Sequence, residues 1–214
     1  MPYNKHFGVK IFGKSSGLKL TRENYIEKIT FHNSHFKERY TDLVLEANKA
    51  DRLYNYDRNM DYFRILNKEE FNIELKSFLS NNKSFVKITD LASLDGKSGY
   101  YIMVLDEYAL AYIGTSRDIK KRIQQHWRMQ MNFDRMIFGN KENSILSINS
   151  FRALDTTRIF VNLTSEIYSL EDKLISQFDN KYLLNRTSGG LLNGLSDAIV
   201  NRKIRALSTK DNNF

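Results

Sequence analysis

Residues 96–116 constrain the fold more than any other part of this chain. After Gly96-Lys97-Ser98-Gly99 come two apolar runs, Tyr100 to Leu105 and Tyr108 to Ile113, divided by the polar pair Asp106-Glu107. Both runs are rich in β-forming residues and too short to be core helices, so they predict the two arms of a β-hairpin. A helix should follow from about Arg117, with Ser116 as its cap. In it Ile119, Ile123 and Trp127 recur every four residues and face the core. Arg158 to Leu163 reads as a third strand, and Ser165 to Gln177 as another helix.

The first 95 residues have a different texture. Gly8, Gly13 and Gly17 punctuate an extended start. Thr21 can cap a helix carrying Tyr25, Ile26 and Ile29 on one face. Ser34 can cap a longer helix with Phe36, Tyr40, Leu43, Val44 and Ala47 as its buried stripe. Asn67, followed by Glu69 and Glu70, opens a third helix whose apolar face is Phe71, Leu75, Phe78 and Leu79. The expectation is an α+β protein: a small three-stranded antiparallel sheet flanked by helices, with a mainly helical N-terminal extension. The domain reading is 1–95 for the extension, 96–190 for the core that carries the chemistry, and 191–214 for a C-terminal tail.

Charge narrows the partners. Thirty-three Lys and Arg against 25 Asp and Glu leave a net charge of +8, which favours polyanions because cationic side chains displace counterions from phosphate backbones. The absence of cysteine excludes disulfides and thiolate metal sites. The start of the chain has no apolar core long enough for a signal peptide, and no run is long enough to span a bilayer, so a cytoplasmic location away from the membrane is expected.

Within residues 99–126, Arg122 and His126 are four apart and share one helical face, toward which Tyr101 and Tyr112 of the hairpin can project. Glu171 falls in the first half of the later helix. Phosphodiester hydrolysis needs an activated water, neutralisation of developing charge and support for the leaving oxygen. A phenol whose pKa is lowered by nearby cations can relay the proton. Arg presents a fixed donor fork to phosphate. One carboxylate with several waters suits Mg²⁺.

This stretch resembles the GIY-YIG nuclease superfamily. Gly99-Tyr100-Tyr101 stands where the first motif would be, and Tyr112-Ile113-Gly114 matches the second. The motif tyrosines lie eleven positions apart, and Arg122 and His126 follow Gly114 by eight and twelve. Glu171 resembles the family's metal-binding glutamate and Asn185 its late asparagine. The resemblance covers roughly 96–190. It implies that Tyr101 handles the water's proton, Arg122 stabilises the transition state, and Glu171 holds one Mg²⁺ or Mn²⁺. Tyr112, His126 and Asn185 would orient these groups.

Tyr100 replaces the usual Ile, a change expected to affect packing only, and no second histidine follows His126. Arg117, Lys120, Lys121 and Arg128 are candidate phosphate contacts. The functional expectation is a restriction-type endonuclease that cuts double-stranded DNA, working as a homodimer or by sequential nicking. The competing readings are a repair, mobile-element or defence nuclease with structure or single-strand preference, and a non-catalytic nucleic-acid-binding regulator. Ribonuclease activity also stays open.

Two weaker signals are set aside. Gly8 to Ser15 satisfies the phosphate-loop pattern but lacks the strand before it and the helix after it. His32 and His35 have ligand spacing without further ligands.

Overall fold

A computed structural model describes residues 4–13, 17–29, 41–128, 137, 144–167 and 169–186. The Ser34 cap, Phe36, Tyr40, His32, His35 and the 191–214 tail lie outside these. The chain is mixed α and β. Among the described residues, a short hairpin, β1 (Lys5–His6) and β2 (Val9–Lys10), precedes helices α1 (Arg22–Ile29), α2 (Asp42–Ile65) and α3 (Lys68–Asn81). Then come β3 (Val86–Ile88), β4 (Gly99–Leu105), β5 (Leu110–Ser116), α4 (Ile119–Arg128), β6 (Arg158–Leu163) and α5 (Glu171–Ser176).

The main sheet is antiparallel and four-stranded, in the order β3-β6-β4-β5. Three strands were expected. The fourth, β3, is a three-residue edge strand drawn from the segment read as a helical extension. Within β4 and β5, Tyr101 lies opposite Gly114 and Met103 opposite Tyr112, so all four share one face.

Both faces of the sheet are covered, which is why β4 is buried at every position and reads as an unbroken apolar run. Tyr101, Met103 and Leu105 join Ile119, Ile123 and Trp127 of α4, Tyr56 and Phe63 of α2, and residues of the N-terminal segment. Tyr100, Ile102 and Val104 on the other face join Phe71, Leu75 and Phe78 of α3 with Leu174 and Ile175 of α5. Residues before 96 therefore supply both an edge strand and helices that complete the core.

Local chemistry sets the helix starts. Asn67 caps α3, its Oδ1 accepting from the N–H groups of Glu69 and Glu70. Thr21 caps α1 reciprocally with Asn24. The start of α4 differs from expectation: Asp118, not Ser116, accepts from the Lys121 N–H, while Ser116 Oγ accepts from Asp118 N. The apolar stripe expected for the long helix is also corrected. Leu43 is 81% exposed, and the buried face of α2 consists of Asn48, Arg52, Asn55, Tyr56, Asn59 and Phe63. Tyr56 and Phe63 pack against Tyr25, Tyr108 and Phe151, but two asparagines of that face meet loop backbone instead. Asn55 and Asn59 donate to the Ser144 carbonyl, and Asn59 Oδ1 accepts from Leu146 N. A loop buried there needs donors and acceptors, which an apolar stripe would not provide.

The N-terminal segment is tied to the core through Asp155, whose carboxylate accepts from the backbone N–H of Leu20 and Arg152 and from the Tyr108 hydroxyl. Burial pushes its pKa up to about 6. Because the folded value lies above the unfolded one, its contribution to stability is complete at low pH and is lost as pH rises through 6. Urea unfolding of wild type and Asp155→Asn between pH 4 and 7 is expected to show the wild-type advantage shrinking with rising pH, by about 1.4 kcal/mol per unit at most. An advantage that grows with pH would mean that Asp155 is held as a stabilised carboxylate.

Candidate active site

Four expected residues meet on one face of the sheet. Tyr101 Oη lies 2.7 Å from His126 Nε2 and accepts a hydrogen bond from the Arg122 side chain. The rings of Tyr101 and Tyr112 are 6.2 Å apart between centroids, and Tyr112 meets His126 edge-on at 5.1 Å. Helical spacing brings Arg122 and His126 to this face together, while Ile119, Ile123 and Trp127 are buried as expected. Tyr101 and His126 are fully buried; Tyr112, Arg122 and Glu171 are half-buried. The solvent-facing rim is therefore Tyr112, Arg122 and Glu171, with the Tyr101–His126 pair beneath it.

Gly114 makes this crowding feasible. A Cβ there would stand 2.6 Å from Tyr101 Oη and 2.8 Å from a Tyr112 ring carbon, so only hydrogen leaves space for both phenols. Gly99 serves the backbone: a Cβ would fall 2.1 Å from the Asn162 carbonyl of β6, which the positive φ of Gly99 brings close.

The electrostatics correct one expectation. Nearby cations do not bring the Tyr101 pKa down; complete burial raises it well above the ordinary phenol value, with Tyr112 adding to the rise and Arg122 only partly opposing it. Tyr101 is thus a neutral phenol, able to pass a proton on but not to wait as a phenolate. Glu171 is within electrostatic reach of both Tyr101 and Arg122, and burial, with the charge of Asp172, raises its pKa.

Glu171 opens α5 rather than falling inside a helix begun near Ser165. The Leu170 N–H just before it is held by the Tyr100 hydroxyl at 3.0 Å. Tyr100 therefore does more than pack: its phenol on the opposite face of β4 anchors the residue that introduces Glu171.

Asn185 is tied elsewhere. Its amide makes two hydrogen bonds to the backbone of Ile113, at 3.0 and 2.7 Å, prolonging the contact that Leu183 and Leu184 make with the edge of β5. It braces the strand carrying Tyr112 and Gly114. Of the candidate phosphate contacts, Arg117 and Lys121 are exposed. Lys120 forms an ion pair with Asp95 at 3.1 Å, and Arg128 stacks over the Phe12 ring.

Sequence reasoning missed Asn149. Its Oδ1 lies 2.7 Å from His126 Nδ1, and it comes from a single 3₁₀ turn, Ile148–Ser150, before β6. No periodicity marks that segment, so the only signal was an Asn among serines.

Among the described residues no cluster of three or more His, Asp or Glu side chains forms a closed metal site. Mg²⁺ does not require one, since it keeps several waters and takes one or two carboxylates with substrate oxygens. Glu171 fits that role: its charge is disfavoured by burial and by Asp172, and a cation would relieve both. Among the described residues no helix is long and apolar enough to cross a membrane. No family model, curated protein or solved structure matches this chain.

Proposed function

We propose that this chain is a metal-dependent endonuclease of the GIY-YIG type, hydrolysing DNA phosphodiester bonds. The observation that carries the reading is the convergence of Tyr101, Tyr112, Arg122 and His126 on one sheet face, with Glu171 in electrostatic reach. A core built only for stability has no need of two phenols, a guanidinium and an imidazole around a strand glycine, since polar groups in a core cost free energy unless every partner is supplied.

In the resting site Arg122 donates to the Tyr101 oxygen. A phosphate at the rim recruits the guanidinium, whose fork suits its oxygens, and frees the phenol oxygen for water. The water gives its proton to Tyr101 as Tyr101 gives its own to His126 Nε2, and the hydroxide attacks phosphorus. Arg122 then stabilises the charge that builds on the phosphate oxygens. Glu171 would hold the Mg²⁺ or Mn²⁺ ion, whose chemistry there would be further neutralisation of negative charge. The leaving alkoxide is protonated by solvent.

The substrate is proposed to be duplex DNA cut in the restriction manner, by a homodimer or by sequential nicking. A net charge of +8 and the exposed Arg117 and Lys121 support a polyanionic partner.

The deciding experiment incubates wild type and Glu171→Ala with supercoiled plasmid, with and without Mg²⁺. Metal-dependent cleavage by wild type, reduced roughly 100-fold or more in the variant, is the expected result. Discrete fragments support sequence-specific duplex cleavage. A smear at every dilution, with preferential cutting of flaps or single strands, supports a repair or defence nuclease instead. Nucleic-acid binding without cleavage of duplex, single-stranded or RNA substrates would replace the enzyme with a binding protein.

A further inference from the structure

The buried imidazole of His126 is contacted at both nitrogens, at 2.7 Å on each side. On the Nδ1 side the partner is Asn149 Oδ1. That amide turns its oxygen to Nδ1 and its nitrogen to Ser147, Nδ2 donating to Oγ at 3.2 Å. A carbonyl oxygen carries no proton, so the hydrogen between Asn149 and His126 must sit on Nδ1. A neutral imidazole then has only a lone pair at Nε2, and the Tyr101 hydroxyl must donate to it. The direction of the whole chain follows: Arg122 to Tyr101 oxygen, Tyr101 hydroxyl to Nε2, Nδ1–H to Asn149.

We propose that Asn149 is a positioning residue that locks His126 in the Nδ1–H tautomer, leaving Nε2 as the acceptor for the phenolic proton of Tyr101. The catalytic consequence rests on the nuclease reading; the tautomer assignment does not. With the other tautomer, Nε2–H would point at the Tyr101 oxygen, and the phenol would have nowhere to send its proton.

The fold holds Asn149 firmly. It is buried, its own N–H is bonded to Ser147 Oγ, and the preceding loop is fastened to α2 through Asn55 and Asn59. Helix α2 lies outside the stretch that resembles the nuclease family, yet it braces the far end of the relay. Its polar buried face thus acquires a purpose: Asn55 and Asn59 set the height of the loop, and the loop sets Asn149 against Nδ1.

Long-range ¹H–¹⁵N spectra of the histidine rings test this in the intact chain, with His126 assigned by comparison with His126→Gln. Wild type is expected to show a protonated Nδ1 and an unprotonated Nε2. Asn149→Leu removes the acceptor and should abolish that preference, while lowering kcat on plasmid by roughly 10- to 100-fold with KM little changed. Asn149→Asp keeps an oxygen opposite Nδ1 at nearly the same volume. It should retain the Nδ1–H signal and recover most of the lost kcat at a pH where the imidazole is neutral. A protonated Nε2 in wild type overturns the proposal, as does an Asn149→Leu protein with the wild-type spectrum. If wild type carries the expected tautomer and cleaves nothing, the nuclease reading falls and the tautomer assignment stands.

Discussion

Tyr101→Phe is expected to lower the rate of DNA cleavage by roughly 10²- to 10⁴-fold, the range a positioned proton-transfer group supplies. The substitution removes one oxygen and leaves the ring in its place among Met103 and Ile123. That oxygen has two duties in the resting site, accepting from Arg122 and donating to His126. Its loss leaves a buried imidazole nitrogen without its donor, so stability should fall by about 1–3 kcal/mol. The protein should still fold cooperatively by circular dichroism, which separates lost chemistry from lost structure. Tyr112→Phe is the necessary comparison, because Tyr112 is the phenol with access to solvent and Tyr101 has none. The relay from Tyr101 to His126 predicts the deeper loss for Tyr101→Phe. If Tyr112→Phe is the deeper loss, the water sits against Tyr112, and the Tyr101–His126 pair only supports it.

What the sequence reveals follows its regularities. The hairpin, the strand 158–163, the Asn67 cap and the core face of α4 all follow from period-2 or period-3.6 patterns and capping chemistry, and all are present. Strand β3 escapes because three residues are too few to display a period. The buried face of α2 escapes for a different reason. A search for apolar spacing selects Leu43, whereas the buried face also carries Asn48, Arg52, Asn55 and Asn59, the last two bonded to the Ser144 carbonyl. Tyr100 is legible as a buried strand residue, but its hydrogen bond to Leu170 joins positions 70 apart and has no local trace. The candidate site divides in the same way. Tyr101, Tyr112, Arg122 and His126 are legible because a strand pair and one helix carry them at fixed spacings that can be matched to the motifs they resemble; spacing alone would not show that they meet. Asn149 is not, since its position depends on a loop held by a helix about 90 residues earlier in the chain. The pKa of Tyr101 is equally hidden, because adjacent cations can be read from spacing but complete burial cannot.

Gly114→Ala should be the most damaging single-methyl change near the site. A glycine in mid-strand weakens a sheet unless something needs the space, and here two phenols do. The added Cβ would stand 2.6 and 2.7 Å from Tyr101 Oη and Cζ, and 2.8 Å from Tyr112. Tyr101 is packed on all sides and cannot yield by swinging outward, so its ring must tilt and its oxygen must leave the line between Arg122 and His126. Overpacking of this kind costs about 1–3 kcal/mol. The kinetic effect should be larger, since misplacing a reacting group by about 1 Å can cost 10²-fold in rate. The variant should therefore fold, melt several degrees lower, and cleave at least ~100-fold more slowly with Mg²⁺ present. Gly17→Ala provides the control, because a Cβ there meets nothing within 4 Å. Gly114→Ala with wild-type cleavage would mean that the tyrosine pair can shift without consequence, and a relay that depends on a 2.7 Å contact could not tolerate that.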